Sequence, residues 1–541
     1  MRHRARPLMA MLFLLVVSSV LLAACGGGAA KTSGSGGSNN ATSGPQRGGE
    51  ITVLEGSGYA GAWPTGLDPA TNTNGAANQS YMSAIYGQLF QLGEGGKIVP
   101  DLATGYKFSD GGKTVSISLR KGVKFQDGTA FNAKAVAWNF KRDLKSPCTC
   151  SPKRLWPPLA SQGITTPDDH TVVLHFKRPF AAVIHAFIDS NANWIASPAA
   201  LAKMGEKKFK IKPVGAGPFE VVSDTLSSQL VLKRYDGYWK KGHPYLDKLT
   251  FKSIGGDQPA YQALLAGQAQ AYEGMNTTPL IQQAQKNDRL TVTMEPPTSP
   301  YVIQLNTKAP PFDNKRAREA IYYATNTEAI RTHLFNGLYP VTQSFTGPGG
   351  LFFKPKVPGY RTYDLAKAKQ IVKRLGGLQV DLFTIKNYIA EQVDKVLQSQ
   401  WSKAGIKTTI HSYDLAQLIK EFQGNWEASL QTAGSWDPAA GVGVGFRFSS
   451  SSPFSGIHDP KLDKLLQRAA ATLDKDKRGK LYAQAAKYIS DHAYAPFLFA
   501  FAPANVVTKG AHGPGLTTKI PAVVVNPTVM WDSVWIPKEA R

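Results

Sequence analysis

The stretch from Pro100 to Arg142, PDLATGYKFSDGGKTVSISLRKGVKFQDGTAFNAKAVAWNFKR, sets the reading of the whole chain. Asp110-Gly111-Gly112 separates two strand-like runs, and Val115, Ile117 and Leu119 recur at every second position, which puts them on one face of a strand. Turn residues between such runs predict a β-hairpin. Val123 and Phe125 read as an extension of that sheet, turned at Asp127-Gly128. Asn132 then stands where a side-chain oxygen accepts from the first free amides of a helix, one carrying Val136, Trp138 and Phe140. Gly112-Lys113-Thr114 has the ending of a phosphate loop, but Lys107 occupies the place of its opening glycine, and the segment reads as the hairpin turn.

Upstream, Glu50-Ile51-Thr52-Val53-Leu54 alternates like a strand and breaks at Glu55-Gly56-Ser57-Gly58. Beyond a loop holding Leu67-Asp68-Pro69, the run Asn78 to Leu92 places Tyr81, Ile85, Leu89 and Leu92 at the spacing of one helix face. Gly26 to Gly48 has no aromatic and almost no aliphatic residue, so it cannot bury enough surface to offset chain entropy and reads as a flexible tether over residues 25–48. Before it, Arg2, Arg4 and Arg6 precede an apolar run from Leu8 to Leu22. That run is shorter than the roughly 20 residues of a bilayer span and suits a signal-peptide core over residues 1–24. It ends in Leu22-Ala23-Ala24-Cys25-Gly26, which resembles the lipobox of bacterial lipoproteins. The resemblance implies that Cys25 carries a diacylglycerol and holds the mature protein to the outer face of the cell membrane, which is the expectation here over an ordinary signal peptide with a chance cysteine.

Composition narrows the function. Hydrophobic residues make up 42% and charged residues 18% of the 541, the balance of a water-soluble multi-lobed protein. The formal charge of +24 falls to +21 without the three leader arginines. It is spread along the chain with no basic tail, so nucleic acid is not expected as a partner. Cys148 and Cys150 stand one residue apart, where a local disulfide, two free thiols or a soft-metal pair are the choices; no nearby His or Cys completes a tetrahedral set, and the disulfide is the expectation. The ten histidines are scattered, with no H-E-x-x-H, C-x-x-C or G-x-S-x-G, and GVGVG at Gly441 to Gly445 lacks dinucleotide spacing. No metal, no cofactor and no catalytic residue is expected.

The Pro100–Arg142 stretch also resembles the signature region of the family 5 extracellular solute-binding proteins, receptors of ATP-binding-cassette importers for dipeptides, oligopeptides and nickel. Further likenesses follow in that family's order: Pro213-Val214-Gly215-Ala216-Gly217-Pro218-Phe219, with Ala216 in place of a threonine; YDGYWKKGHPYL from Tyr235 to Leu246; Ala263 to Ala269; LNTKAPPFDNKRAREAIYYATN from Leu305 to Asn326; Leu365 to Lys369; and Trp401 to Ile406. The resemblance covers nearly everything from Gly49 onward. It implies an α/β, two-lobed periplasmic-binding-protein-like fold of the class II type, with an extra inserted subdomain and a ligand cleft between lobes. The divisions it implies are domain I at 49–75, 213–295 and 506–541, domain II at 76–212, and domain III at 296–505.

The same resemblance implies where a ligand sits. Lys386 falls where dipeptide-binding members carry an arginine for the ligand carboxylate, with Tyr388 two residues on. Lysine is a point charge and cannot form the bidentate fork, so a solvated surface lysine is the competing reading. In Ala433-Gly434-Ser435-Trp436-Asp437-Pro438, alignment on Asp-Pro puts Gly434 at the ammonium-binding aspartate of peptide receptors; Asp437 is the carboxylate one turn away, and Trp436 either stacks on a ligand or fills the core. Tyr59 and Trp63 face the cleft in relatives, whereas Trp138, Trp194 and Trp401 read as core. The expected protein is a monomeric, lipid-anchored, extracytoplasmic receptor that passes a peptide or peptide-like solute to permease subunits. The rivals are a receptor for an oligosaccharide or chelated metal, an extracellular hydrolase on a similar scaffold, and an adhesin or chaperone.

Overall fold

The computed structural model describes residues 44–56, 63–73, 79–148, 150–441, 443–521 and 528–538. Three β-sheets of four strands or more organise them, together with a short two-stranded ribbon.

The strand Glu50–Gly56 forms as its alternation predicts, with Ile51 and Val53 buried. It lies inside a seven-stranded sheet, pairing parallel with Lys248–Ile254 on one side and Ala271–Met275 on the other. The strands Gln229–Arg234, Phe219–Thr225, Ala504–Thr508 and Leu290–Met294 complete it. A five-stranded sheet runs in the order 406–413, 378–385, 428–432, 299–305, 497–501, its first three strands mutually parallel. The chain passes between these two sheets through residues 295–298, after Leu290–Met294, and through residues 502–503, after Phe497–Phe501.

The hairpin read from the sequence is part of an antiparallel four-stranded sheet, Ala103–Ser109, Thr114–Leu119, Thr171–Phe176 and Leu159–Asp168. Its turn takes three left-handed residues in succession, Asp110 at φ 49°, Gly111 at 59° and Gly112 at 91°, a conformation glycine adopts without a Cβ penalty and aspartate tolerates. Asn132 caps the helix Ala133–Asp143, accepting from the Ala135 amide at 3.0 Å, and Val136 and Phe140 are buried beneath it. Trp138 differs from expectation: it is half-buried, with the Arg142 guanidinium 4.8 Å above its ring.

Two expectations fail for local reasons. Val123 and Phe125 are buried but form no strand, because the segment bonds sideways to the Pro213–Phe219 motif. The Gln126 amide group donates to the carbonyls of Ile85 and Phe219 at 2.9 and 2.7 Å, and the backbone keeps only the single bridge Lys124 to Ala130. The helix expected over Asn78 to Leu92 is Gln79–Tyr86 only. Gly87 turns left-handed at φ 66°, the Gln88 amide is taken by Asp101 Oδ2 at 2.9 Å, and Phe90–Leu92 leaves as a strand paired with Ile98–Pro100. Cys148 and Cys150 form the local disulfide. Trp194 and Trp401 are fully buried, as expected of core residues. Among the described residues no helix is long and apolar enough to cross a membrane.

Candidate functional site

In an open α/β sheet ligands bind outside the carboxyl ends of the parallel strands. Here both sheets turn that edge toward the crossing segments. Leu290–Met294 runs in the same direction as Ala271–Met275, both being antiparallel to Ala504–Thr508, and enters residues 295–298 at the edge where Glu50–Gly56 also ends. The chain then enters the five-stranded sheet at Ser299, beside the end of Ala428–Thr432, since Tyr301 pairs with Thr432. Thr384 pairs with Leu430 in parallel, so Lys386 and the run from Ala433 to Asp437 leave that sheet at one edge.

Lys386 and Tyr388 are exposed there, Tyr388 at 48%. The Lys386 amide donates to the Tyr413 carbonyl at 2.7 Å, and Asn387 caps the helix Tyr388–Lys403 through the Ala390 amide at 2.9 Å. The lysine backbone is thus fixed at a strand-to-helix junction while its ammonium stays in water.

Asp437 is placed otherwise than the resemblance implied for a ligand-holding carboxylate. It is fully buried: Oδ1 accepts from the Arg478 guanidinium and from the Ala439 amide at 3.0 Å, and Oδ2 lies 3.1 Å from His185 Nδ1. Burial alone would raise its pKa, yet the Arg478 charge and then His185 hold the carboxyl well below the usual carboxylate range. Trp436 is half-buried, its ring centroid 4.5 Å from that of His185. A Cβ on Gly96 would lie 2.0 Å from the Trp436 Nε1, so only glycine lets that turn reach the indole. Gly434 sits at φ 139°, where a Cβ would stand 2.7 Å from the Phe345 carbonyl oxygen, and its own carbonyl accepts from Ser299 Oγ at 2.8 Å. Its lack of a side chain is a packing requirement.

The resemblance also misplaces Trp63. It is fully buried in the core of the seven-stranded sheet, its ring 5.0 Å from Tyr81 and its Nε1 donating to Asp224 Oδ1 at 2.9 Å. Tyr59 and Cys25 lie outside the described residues.

Sequence reasoning missed a set of acids at the carboxyl edge of the seven-stranded sheet. Glu55 and Glu273 are register partners on parallel strands, and Glu295 begins the first crossing. All three are buried. Glu273 Oε1 accepts from Ser80 Oγ at 2.8 Å, and that hydroxyl accepts from Trp531 Nε1 at 2.8 Å. Burial pushes the Glu273 carboxyl up to about 7; burial together with the neighbouring Glu273 pushes Glu55 and Glu295 well above the ordinary range. They come together from positions 218 and 22 residues apart, which no local spacing reveals. Among the described residues no group of three His, Cys, Asp or Glu side chains is placed to hold a metal ion.

Comparison with known proteins agrees with this architecture. The profile of the bacterial extracellular solute-binding proteins, family 5, middle region, matches residues 97–453. The glutathione-binding protein GsiB of Pectobacterium atrosepticum is 30% identical over 465 residues, 80% of this chain and 86% of that protein. GsiB of Salmonella choleraesuis is 32% identical over 381 residues, 69% and 72% of the two chains. Among solved structures, the periplasmic binding protein DppA of Helicobacter pylori in complex with the peptide STSA superposes with a TM-score of 0.74 at 22% identity, over 91% of this chain and 99% of that one. The oligopeptide-binding protein AppA of Bacillus subtilis in complex with a nonapeptide gives 0.74 at 21% identity, over 91% and 100%. The proteins named here are binding proteins rather than enzymes. The order of motifs, the mixed sheets joined by two crossings and the profile match together establish that the chain belongs to family 5 of the bacterial extracellular solute-binding proteins, with the two-lobed periplasmic-binding-protein fold.

Proposed function

We propose that this chain is a lipid-anchored, monomeric receptor that captures a peptide or peptide-like solute by closing its lobes and passes it unaltered to the permease of an ATP-binding-cassette importer. The observation that carries the reading is the pair of crossings at residues 295–298 and 502–503, flanked by the carboxyl edges of parallel strands in both sheets. Two short crossings let each sheet move as a body, and a ligand bridging both edges favours the closed population. The similarity to glutathione-binding proteins supports a small peptide carrying more than one carboxylate.

In this reading domain I comprises residues 49–75, 213–295 and 506–541, domain II 76–212 and domain III 296–505, with residues 25–48 tethering them to a lipid on Cys25. Lys386 meets a ligand carboxylate as a point charge, with Tyr388 and the open part of Trp436 beside it. Asp437 supports the loop instead of contacting the ligand, because Arg478 and His185 already occupy it. The test is thermal unfolding of the full chain with glutathione, di- to tetrapeptides, oligosaccharides and nickel-histidine, followed by mass spectrometry of the recovered solute. Glutathione or a peptide should raise the melting temperature by mass action and come back intact. Stabilisation only by oligosaccharide or nickel-histidine, or recovery of cleaved peptide, would overturn the reading.

A further inference from the structure

The residues before the crossing at 295–298 and those between the two crossings also touch away from them, where the helix Val183–Ile188 meets the loop 435–441. His185 and Asp189 come from the first side; Ser435, Trp436, Asp437 and Gly441 come from the second. Ser435 Oγ donates to Asp189 Oδ2 at 2.5 Å, Asp437 Oδ2 lies 3.1 Å from His185 Nδ1, and the His185 and Trp436 ring centroids are 4.5 Å apart. A Cβ on Gly441 would stand 2.5 Å from Asp189 Oδ2, so the second side packs directly on that carboxyl oxygen. Close by in sequence, the Ala181 amide donates to the Ala470 carbonyl at 2.8 Å.

Asp189 forms no ion pair among the described residues. The titratable groups facing it are His185 on its own helix and Asp437 across the contact, and Asp437 already engages both His185 and Arg478. The segments packed on that helix, 90–92, 152–155 and 191–193, bring the uncharged Gln91, Asn191 and Asn193 and the exposed Lys153 and Arg154. Gln79, also uncharged, donates to the Ile188 carbonyl at 2.8 Å. Burial pushes the Asp189 carboxyl up to about 7; the Ser435 bond opposes the rise and the Asp437 charge adds to it. Ser435, Asp437 and Gly441 all stand on the far side, so parting the two sides wets the carboxyl and takes that charge away. A wetted aspartate titrates near about 3.9.

We propose that this contact is a proton-dependent latch: the lobes close with uptake of one proton from solvent by Asp189, so the solute is held more tightly as the medium acidifies. The inference rests on the lobe closure proposed above and adds to it a dependence on pH. Asp189 is a positioning residue here, acting through the Ser435–Trp436 loop and not on the solute itself. The sign follows from linkage, because a group that binds its proton more tightly in one state favours that state as pH falls. With about 7 for the closed state and about 4 for the open one, closure gains about tenfold between pH 8 and pH 6 and is nearly flat above pH 8.

Calorimetric titration of the full chain with glutathione, or with whichever di- to tetrapeptide binds, reads the latch at pH 8, 7 and 6. Affinity should rise about tenfold from pH 8 to pH 6. At pH 6, buffers of different ionisation enthalpy should report close to one proton taken up per solute bound. Asp189→Asn keeps the shape of the neutral side chain, and it should give one affinity at all three pH values with no proton uptake. His185→Gln should keep the wild-type slope, whatever its affinity, because the slope belongs to Asp189. Small-angle scattering without solute should give a smaller radius of gyration at pH 6 than at pH 8 for the wild type and equal radii for Asp189→Asn. A flat wild-type profile, a slope that survives in Asp189→Asn or vanishes in His185→Gln, or equal wild-type radii would each overturn the latch. If neither glutathione nor a peptide binds, the capture reading falls and the scattering alone decides the latch.

Discussion

Ser435 Oγ donates a hydrogen bond to Asp189 Oδ2 over 2.5 Å, joining residues 246 apart in sequence. Asp189 C-caps the helix Val183–Ile188, which also carries His185 to Asp437 and Trp436. One turn of helix therefore clamps the Gly434–Asp437 loop at three successive residues, while Gly441 passes so close that a Cβ there would meet Asp189 Oδ2 at 2.5 Å. The loop is held by polar pairs in a dry setting, where each pair is worth most when complete and costs most when broken.

Asp437→Asn removes a charge from a fully buried pair and leaves Arg478 uncompensated. Breaking such a pair from one side typically costs about 3–5 kcal/mol. Urea unfolding of Asp437→Asn should show a loss of that order, and Arg478→Met combined with it should recover most of the loss. A loss under about 1 kcal/mol would mean that the pair is solvated in solution.

Burial pushes the Asp189 carboxyl up to about 7, against the Ser435 hydrogen bond and with the Asp437 charge adding to it, from about 3.9 in an unfolded chain. Between those values the folded state binds more protons than the unfolded one, so this group's contribution to stability falls as pH rises from about 4 to about 7 and is flat above. Asp189→Asn mimics the protonated side chain. The stability difference, variant minus wild type, should be small at pH 4 and rise in the variant's favour up to pH 7. Parallel curves across that window would remove Asp189 from the pH response.

Gly434→Ala must accommodate a Cβ at φ 139° and 2.7 Å from a carbonyl oxygen. Backbone strain of this kind costs about 1–3 kcal/mol. The comparison is Gly445→Ala, where a Cβ meets nothing within 4 Å and the residue lies in the helix Val444–Phe448. Calorimetric melting should separate the two, with Gly434→Ala lower and Gly445→Ala at or above wild type.

Lys386→Ala should leave stability unchanged, because the side chain is exposed. If its ammonium meets a ligand carboxylate, affinity for glutathione should drop about three- to tenfold in titration calorimetry, the range of one partly solvated ion pair. Unaltered affinity would return Lys386 to the solvated surface.

Much of the fold is legible where the signal is local. The Asp110-Gly111-Gly112 turn, the alternation of Val115, Ile117 and Leu119, the Asn132 cap and the buried Trp194 and Trp401 all stand as read. Helix length is not legible at Leu89 and Leu92, because the periodicity continues past Gly87 while the helix ends at Tyr86. Asp437 reads in sequence as a ligand-holding carboxylate and instead holds Arg478 and His185, because these partners stand 41 residues after and 252 before it and nothing in its neighbourhood announces them.

The amino-acid order alone determined what depends on neighbours within a few turns: strand alternation, turn chemistry, caps, and the succession of motifs that marks the family. Tertiary structure decided the pairing of Glu50–Gly56 with Lys248–Ile254, the meeting of Glu55 with Glu273, and the enclosure of Asp437 by Arg478 and His185. Periodicity fixes which face of an element is apolar, but the partner of that face is set by whichever distant element completes its packing and satisfies its charges. A carboxylate reads the same in sequence whether it awaits a ligand or already holds an arginine.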